Sequence, residues 1–204
     1  VCQCPELELI FPTTPEQVQA ASLGMESISF KGIMRGCIGA IDGWLCPIEV
    51  PSSTLVGNVR SCFSGHCQRR GFNTQAVTDH LGRFIFMAVA APGGQGDVNA
   101  LARTSLTAIS SKLPRGCFIT GDNARAPYEH LVPVFGGIDR RDICNDDANF
   151  CFSQCRIRSE MAFGIMTNRF GVLQRPLRIS PLKTGKLTQT IARLHNFCLT
   201  ENDD

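Results

Sequence analysis

At 204 residues, with 43% hydrophobic and 19% charged residues, the chain has the length and composition of one ordinary globular domain. Its longest apolar run, Phe84 to Ala91, is far shorter than the ~18 residues of a membrane-spanning helix, so no membrane partner is predicted. The net charge of +2 hides an asymmetry, because residues 1–30 contain four glutamates and no base while residues 31–200 hold all 20 lysines and arginines. A basic body of this kind favours nucleic acid as a partner.

The 11 cysteines have irregular spacings in a chain too long to need a disulfide framework, which indicates reduced thiols. Cys2-x-Cys4 has the form of half a zinc site, but no second pair follows at zinc-finger spacing. A cysteine-rich zinc module is a further alternative, although its spacings fit no standard ligand set; it would use Cys62, His66, Cys67, Cys151 and Cys155.

The first 30 residues are predicted to be an N-terminal lead-in, and residues 31–200 to form the main domain. Thr14 followed by Pro15 is typical of a helix N-cap with proline at the first helical position. A short helix is therefore expected from Glu16 to about Leu23.

The central stretch of the chain is residues 36–48, GCIGAIDGWLCPI, in which a short apolar run leads to Asp42 and Gly43. Such a run predicts a buried strand over Gly36–Ile41. Burying a carboxylate near the end of such a strand costs free energy unless a metal ion or a base lies beside it. The alternative is a turn, since Asp-Gly is a common turn pair.

Two strand candidates, Phe72–Asp79 and Phe84–Val89, predict a hairpin. A glycine-rich loop and a helix from Val98 to about Lys112 should follow. Cys117–Thr120 then predicts a fourth short strand, which leads directly to Asp122. This second acid repeats the arrangement of the first.

Residues 125–150 are predicted to be a surface connection, and a helix is expected from about Ser153. Glu160 lies on this helix one turn after Arg156, so an ion pair between the two is the simplest interpretation of the glutamate. Four residues approximate one apolar face of the helix: Ile157, Met161, Ile165 and Val172.

A last helix is predicted over Leu187–Leu199, with Ile191, Leu194 and Cys198 as its packing face. His195 lies one turn from two of these apolar residues. It is therefore expected to be a buried, satisfied histidine rather than a catalyst.

The predicted elements follow the order of the ribonuclease H-like fold, an α/β fold with a mixed sheet flanked by helices. That order is three strands, a helix, a fourth strand and a later helix that contains a glutamate. In that fold, acids at the positions of Asp42, Asp122 and Glu160 meet at one point. Three carboxylates held together need a cation, and hard oxygen ligands suit Mg²⁺ or Mn²⁺. Two such ions can activate a nucleophile on one side of a phosphodiester and stabilise the leaving oxygen on the other.

Five segments resemble, in order, the catalytic domain of Harbinger-type (PIF/Harbinger) DDE transposases and their domesticated, nuclease-like relatives. The resemblance extends over about residues 32–199. The segments are GCIGAIDGWLCPI (36–48), FSGHCQRRGFNTQAVTD (63–79), FITGDNA (118–124), RIRSEMAFGIMTNRFGVLQRPL (156–177) and IARLHNF (191–197).

This resemblance implies that Asp42, Asp122 and Glu160 are the catalytic, metal-binding triad of a DNA endonuclease. It also implies DNA cleavage with water and, in a full transposase, attack of the freed 3′-hydroxyl on target DNA. Family members are nuclear and usually work with a Myb-like DNA-binding protein; self-association into a homo-oligomer is a further partner hypothesis.

Three positions depart from the family pattern. The usual Thr-His after the first Asp-Gly is Trp44-Leu45 here. The His-Asp pair after the glycine-rich loop is Gly96-Asp97, which leaves Asp97 as at best a secondary acid. The aromatic residue usual after the second acid motif is Arg125, a cation expected to affect the geometry of the site.

The candidates for phosphate contacts are Arg69, Arg70, Arg156 and Arg158; solvated charges or salt bridges are the alternative interpretation of the same residues. A rival to the nuclease is a domesticated, catalytically silent nuclear protein that binds DNA or a Myb-like partner. The complete triad favours the enzyme. The changes at Gly96 and Arg125 favour the rival.

Overall fold

A computed structural model describes residues 4–122 and 129–201 of the chain. Its strands are β1 (Cys37–Pro47), β2 (Phe63–Ser64), β3 (Arg69–Thr78), β4 (Phe84–Pro92), β5 (Phe118–Gly121) and β6 (Leu131–Pro133). Its α-helices are α1 (Pro15–Ile28), α2 (Ser53–Val56), α3 (Asp97–Leu101), α4 (Leu106–Ser110), α5 (Ile143–Arg169) and α6 (Pro181–Thr200).

The strands form one mixed sheet in which β4, β3, β1, β5 and β6 lie side by side, while β2 pairs with the first residues of β3. The pairs β1–β3 and β3–β4 are antiparallel. The pairs β1–β5 and β5–β6 are parallel. The centre of the sheet is therefore β1, the strand that contains Asp42.

Helices cover both faces of this sheet. On one face, α1, α3 and α4 pack against β1, β3 and β5 through a cluster that includes Val18, Ile41, Val77 and Leu101. On the other face, α5 and α6 pack against β3 and β4 through a second cluster: Ala76, Phe84, Met87, Ala162, Phe163, Met166, Ile191 and Ala192. The chain is thus an α/β protein with a helical layer on each side of a mixed sheet.

The start of α1 agrees with its sequence signals. Thr14 Oγ1 accepts a hydrogen bond from the Gln17 amide at 3.3 Å, and the Gln17 side chain accepts one from the Thr14 amide at 3.3 Å. This reciprocal capping box satisfies two amides at the helix start. The helix continues to Ile28, and Val18 and Met25 are buried in the core. Much of the predicted lead-in therefore packs on the sheet.

The predicted hairpin is confirmed as β3 and β4. The single helix predicted from Val98 to Lys112 is wrong, since α3 and α4 are two short helices. Thr104 lies between them, and its hydroxyl donates to the Leu101 carbonyl at 2.8 Å and accepts from the Leu106 amide at 3.2 Å. A side chain that bonds backbone groups in this way competes with the backbone hydrogen bonds of a continuous α-helix.

The long helix α5 begins at Ile143, ten residues earlier than predicted. Asp142 is its N-cap, and its Oδ1 accepts from the Cys144 amide at 2.8 Å. The mixed charges of this stretch, which suggested a surface connection, are compatible with the exposed first turns of a helix. Part of the same predicted connection forms β6. The last helix also starts earlier than predicted, at Pro181, where proline occupies the first turn.

The buried face of α5 differs from the predicted apolar face. Ile157, Met161, Ile165 and Val172 are all exposed. The buried residues of α5 are mostly small: Asn149, Cys151, Cys155, Ser159, Ala162, Phe163 and Met166. None of the described helices combines the length and apolar composition needed to span a membrane.

Candidate active site

Asp42 lies in the middle of β1 rather than at its end. It pairs with Ala76 of β3, and the strand continues for five more residues to Pro47. The predicted turn alternative for Asp42-Gly43 is therefore wrong. The carboxylate is half-buried, and its Oδ1 accepts from the Gly43 amide at 2.8 Å.

The α5 face of the sheet is the face that Asp42 shares with Ala40 and Trp44, because alternate residues of a strand point the same way. Trp44 stacks on Phe163 of α5 with ring centroids 5.9 Å apart and an interplanar angle of 24°. The Ala40 carbonyl accepts a hydrogen bond from Ser159 Oγ of α5 at 2.9 Å. Asp42 thus lies between two points at which β1 contacts α5.

Asp122 directly follows β5, which runs parallel to β1. The last paired residues of the two strands are Ala40 and Thr120. Two residues further along each strand come Asp42 and Asp122. Since side chains repeat every two residues along a strand, this register predicts that both acids lie at the same level and on the same face of the sheet. Asp122 is half-buried.

Glu160 follows Ser159 on α5. The Ser159 hydroxyl bonds the Ala40 carbonyl and also contacts Thr78 Oγ1 at 2.6 Å, so it joins α5 to β1 and β3 at once. Phe163, one turn later, is fixed by Trp44. Glu160 therefore lies on the segment of α5 that passes Asp42. Sequence patterns did not predict that Ser159 and Trp44 attach α5 to β1. The only local signal was that Trp44 departs from the family pattern.

The Glu160 carboxylate is 56% exposed and forms an ion pair with Arg156 at 3.3 Å. The ion pair that was the simplest interpretation of this glutamate is confirmed. In the described parts of the chain, no three His, Cys, Asp or Glu side chains form a ready-made metal centre. The convergence of the three acids stays a prediction, supported by the strand register and by the course of α5.

Asp97, the predicted secondary acid, begins α3 on the other face of the sheet. Its Oδ1 accepts from Asn73 Nδ2 at 2.8 Å and from Gln75 Nε2 at 2.9 Å. A Cβ added to Gly43 would lie 2.8 Å from the same oxygen. Gly43 and Asp42 are consecutive in the strand and point to opposite faces. The position of Asp97 therefore favours a role in holding the strand next to Asp42.

The four arginine candidates for phosphate contacts do not lie together. Arg69 and Arg70 begin β3, where the Arg70 carbonyl accepts from the Ile48 amide just beyond the end of β1 at 3.1 Å. Six residues of strand separate this point from the level of Asp42, which is about 20 Å. Arg156 is bound to Glu160. Arg125 lies outside the described residues.

Arg158 lies near the turn between β3 and β4. Burial lowers the pKa of His80 in that turn, Asp79 opposes this, and Arg83 and Arg158 lower the pKa further. Arg158 thus faces a different side of α5 from Arg156. No single cluster of the four arginines forms.

His195 has no exposed surface, and its Nε2 lies 3.1 Å from the Gly82 carbonyl. The prediction of a buried histidine is confirmed, but only Nε2 is satisfied, since Nδ1 has no hydrogen-bond partner among the residues that the structure describes. Burial lowers the pKa of the imidazole. The ten cysteines within residues 4–122 and 129–201 are all free, as the prediction of reduced thiols requires. Burial also raises the pKa of Cys46 to about 12, so this thiol stays protonated.

Residues 41–196 match the family model described as DDE superfamily endonuclease. No curated protein and no solved structure matches the chain significantly. The matched segment covers well over half of the chain and includes the three candidate acids, β1 from Ile41 onwards and all of α5. The chain therefore belongs to the DDE superfamily endonuclease family.

Proposed function

We propose that this chain is the catalytic domain of a metal-dependent DNA endonuclease of transposase type, with Asp42, Asp122 and Glu160 as its catalytic and metal-binding acids. The observation that carries the proposal is the parallel register of β1 and β5. It supports two carboxylates at one level on the face of the sheet that α5 covers. The passage of Glu160 over this face supports the third.

The same register supports a ribonuclease H-like fold for the domain. The sheet order is β4, β3, β1, β5, β6, with antiparallel pairing through β3 and parallel pairing from β1 onwards. The first-strand acid and the fourth-strand acid of that fold would then be Asp42 and Asp122. In this assignment β2 is an addition before the second strand, and residues 31–200 contain the catalytic unit.

The donor set fits Mg²⁺ or Mn²⁺, because carboxylate oxygens are the ligands that these ions prefer. When bound, such ions would supply an activated nucleophile and stabilisation of the leaving oxygen. The proposed metal ligands are Asp42 and Asp122 from the sheet and Glu160 from α5. Glu160 would exchange its exposed ion pair with Arg156 for the metal site. Such pairs contribute only about 0.3–0.5 kcal/mol, so the exchange is easy.

The finer assignments rest on the motif resemblance. We propose that the chain is of Harbinger type, acts in the nucleus on transposon ends or target DNA, and works with a Myb-like DNA-binding protein. Release of Arg156 from Glu160 would leave its guanidinium next to the scissile phosphate. Arg69 and Arg70, about 20 Å further along the sheet, would contact DNA away from the cut.

The second candidate function is a catalytically silent, domesticated protein that binds DNA or a Myb-like partner. The ion pair between Arg156 and Glu160 favours it, because it occupies the third acid. The two candidates differ in one property, which is whether the acids cut DNA when Mg²⁺ or Mn²⁺ is present.

The experiment that separates them is nicking of supercoiled plasmid DNA in Mg²⁺ or Mn²⁺. We compare the wild type with Asp42→Asn and Asp122→Asn, and Asp139→Asn is the control because Asp139 is an exposed acid outside the site. The proposal requires nicking by the wild type and the control only. DNA binding without nicking by any variant, with or without a Myb-like partner, would support the silent protein instead.

A further inference from the structure

The positive charge of the chain is concentrated in two segments, residues 49–72 and residues 170–190. Together they contain seven lysines and arginines and a single acid, so their net charge is +6 with histidines neutral. Because the whole chain has a net charge of only +2, the remaining residues carry a net charge of −4. The seven bases are all exposed except for the half-buried Arg70: Arg60, Arg69, Arg70, Arg175, Arg178, Lys183 and Lys186.

The two segments meet at one end of the sheet, just beyond the last residue of β1. The Leu177 amide donates to the Pro47 carbonyl at 2.9 Å, and the Leu177 carbonyl accepts from the Glu49 amide at 3.1 Å. Lys186 of α6 lines a groove together with Val56 of the first segment. Buried residues of both segments join the end of β1 in one apolar cluster: Cys46, Ile48, Cys62, Phe72 and Leu177.

The remaining bases follow from these contacts. Arg60 lies two residues before the buried Cys62, and Lys183 lies one turn before Lys186 on α6. Arg175 and Arg178 lie on either side of Leu177. All seven bases therefore surround the same apolar cluster, and we call them the basic end.

Arg69 and Arg70 line a second groove at this end, with Gln174 and Pro176 of the other segment on its opposite side; its volume is about 570 Å³. The Arg70 guanidinium lies over the Phe63 ring, 5.9 Å from Cζ to the ring centroid, which restricts its orientation. Within residues 4–122 and 129–201, Arg70 Nε has no hydrogen-bond partner. This arginine is thus held in place without being committed to a protein acceptor.

Only one of the seven bases forms an ion pair within the described parts of the chain. It is Arg178, whose Nε lies 2.6 Å from Glu49 Oε1. Glu49 is also the single acid of the two segments, so the other six cations are not neutralised by a carboxylate there. Uncompensated cations on one surface attract a polyanion. Guanidinium groups, which make up five of the seven, bind phosphate through forked hydrogen bonds.

We propose that the basic end binds the phosphate backbone of duplex DNA. This inference deepens the proposed function and rests on it for DNA as the substrate; it adds five bases to Arg69 and Arg70 and joins all seven in one surface. Ile48 lies about 20 Å along β1 from the level of Asp42, which is the rise of about six base pairs. One duplex would therefore contact the basic end and the candidate acids together. Phosphate contacts add affinity without reading base sequence.

The test is the affinity for a fluorescently labelled duplex of arbitrary sequence, measured by anisotropy at several salt concentrations. EDTA is present, so the result does not depend on cleavage. One variant removes three bases of the basic end: Arg60→Gln, Arg175→Gln and Lys183→Gln. The matched control makes the same change of net charge at three exposed bases outside the two segments: Arg103→Gln, Lys112→Gln and Arg115→Gln.

We expect the dissociation constant of the basic-end variant to rise at least ~10-fold, because three phosphate contacts are lost. The slope of log affinity against log salt should become shallower by about two to three, since each contact contributes about 0.9. The control should keep the wild-type slope. All melting temperatures should agree, because the six positions are exposed. Equal losses in the two variants, or a wild type that binds no duplex, would overturn the proposal.

Glu49→Gln gives a complementary result that no folding defect can produce. It removes the single acid of the two segments and releases Arg178, so binding should tighten by about 3-fold. Asp139→Asn, which makes the same charge change at an exposed acid elsewhere, should leave the affinity unchanged. A wild type that binds through the basic end but never nicks DNA would support this inference and contradict the nuclease. Nicking by the wild type, with normal binding by the basic-end variant, would overturn this inference alone.

Discussion

Trp44 of β1 stacks on Phe163 of α5 with ring centroids 5.9 Å apart, and Trp44 is the only tryptophan of the chain. The pair fixes α5 on the sheet one turn after Glu160. Phe163→Leu should lower the free energy of unfolding by about 1–3 kcal/mol, because it removes an aromatic pair and leaves a cavity. Tryptophan emission should shift to longer wavelength as Trp44 becomes more exposed.

Urea unfolding and emission spectra together test this prediction. Phe197→Leu is the control, since Phe197 is 47% exposed on α6. It should change neither quantity. An unchanged emission maximum in Phe163→Leu would mean that the stack does not hold Trp44.

Ser159 should be more important for stability than its size suggests. Its hydroxyl contacts the Ala40 carbonyl and Thr78 Oγ1 in a fully buried place. Ser159→Ala leaves both groups without this partner, so we expect a loss of about 1–3 kcal/mol in the free energy of unfolding. Ser153→Ala, which removes only a hydrogen bond within α5, should cost less than about 0.5 kcal/mol. Equal losses in the two variants would contradict the proposed role.

Gly43 should tolerate no side chain. A Cβ at this position would lie 2.8 Å from Asp97 Oδ1 and 3.0 Å from Gln75 Nε2, so Gly43→Ala must displace Asp97. We expect a loss of about 1–3 kcal/mol in stability and reduced nuclease activity, because Asp42 is the neighbouring residue. Gly171→Ala, with nothing within 4 Å of the added Cβ, is the control. Differential scanning calorimetry of both variants measures the difference.

Stability should fall in mild acid because of His195. Burial lowers the pKa of this histidine below its ordinary value of 6.5. The unfolded chain therefore binds more protons than the folded chain in the interval between the two pKa values, and the free energy of unfolding decreases as the pH falls below about 6.5. One histidine contributes at most about 1.4 kcal/mol per pH unit. His80, whose pKa is also lowered, acts in the same direction.

The slope of unfolding free energy against pH, measured between pH 7.5 and 5.5, tests this effect. His195→Gln should be less stable than the wild type at pH 7.5, since it disturbs a buried site. Its slope should nevertheless be shallower. A slope equal to that of the wild type would show that His195 does not cause the acid sensitivity.

Sequence patterns predicted the parts of the fold that have local causes. The N-cap at Thr14, the β3–β4 hairpin and the buried His195 follow from nearby residues and periodicity. The buried face of α5 did not follow. Ile157 and Met161 are more apolar than Ser159, yet Ser159 is buried, because a helix that lies close to a strand needs small side chains at the contact.

Sequence patterns also predicted only the local features of the candidate site. The strand-borne acids could be placed from their motifs, since each follows an apolar run. The register of β1 against β5, from which a common level of Asp42 and Asp122 is predicted, is a long-range property that no single segment contains. The attachment of α5 through Ser159 and Phe163 is also long-range.

The measurement that tests the shared metal site most directly is Mn²⁺ binding, followed by electron paramagnetic resonance of the free ion. The wild type should bind Mn²⁺, with binding strongly weakened in Asp42→Asn and Asp122→Asn and unchanged in Asp139→Asn. Unaltered Mn²⁺ binding in Asp42→Asn and Asp122→Asn would contradict the central claim that these acids hold the metal together.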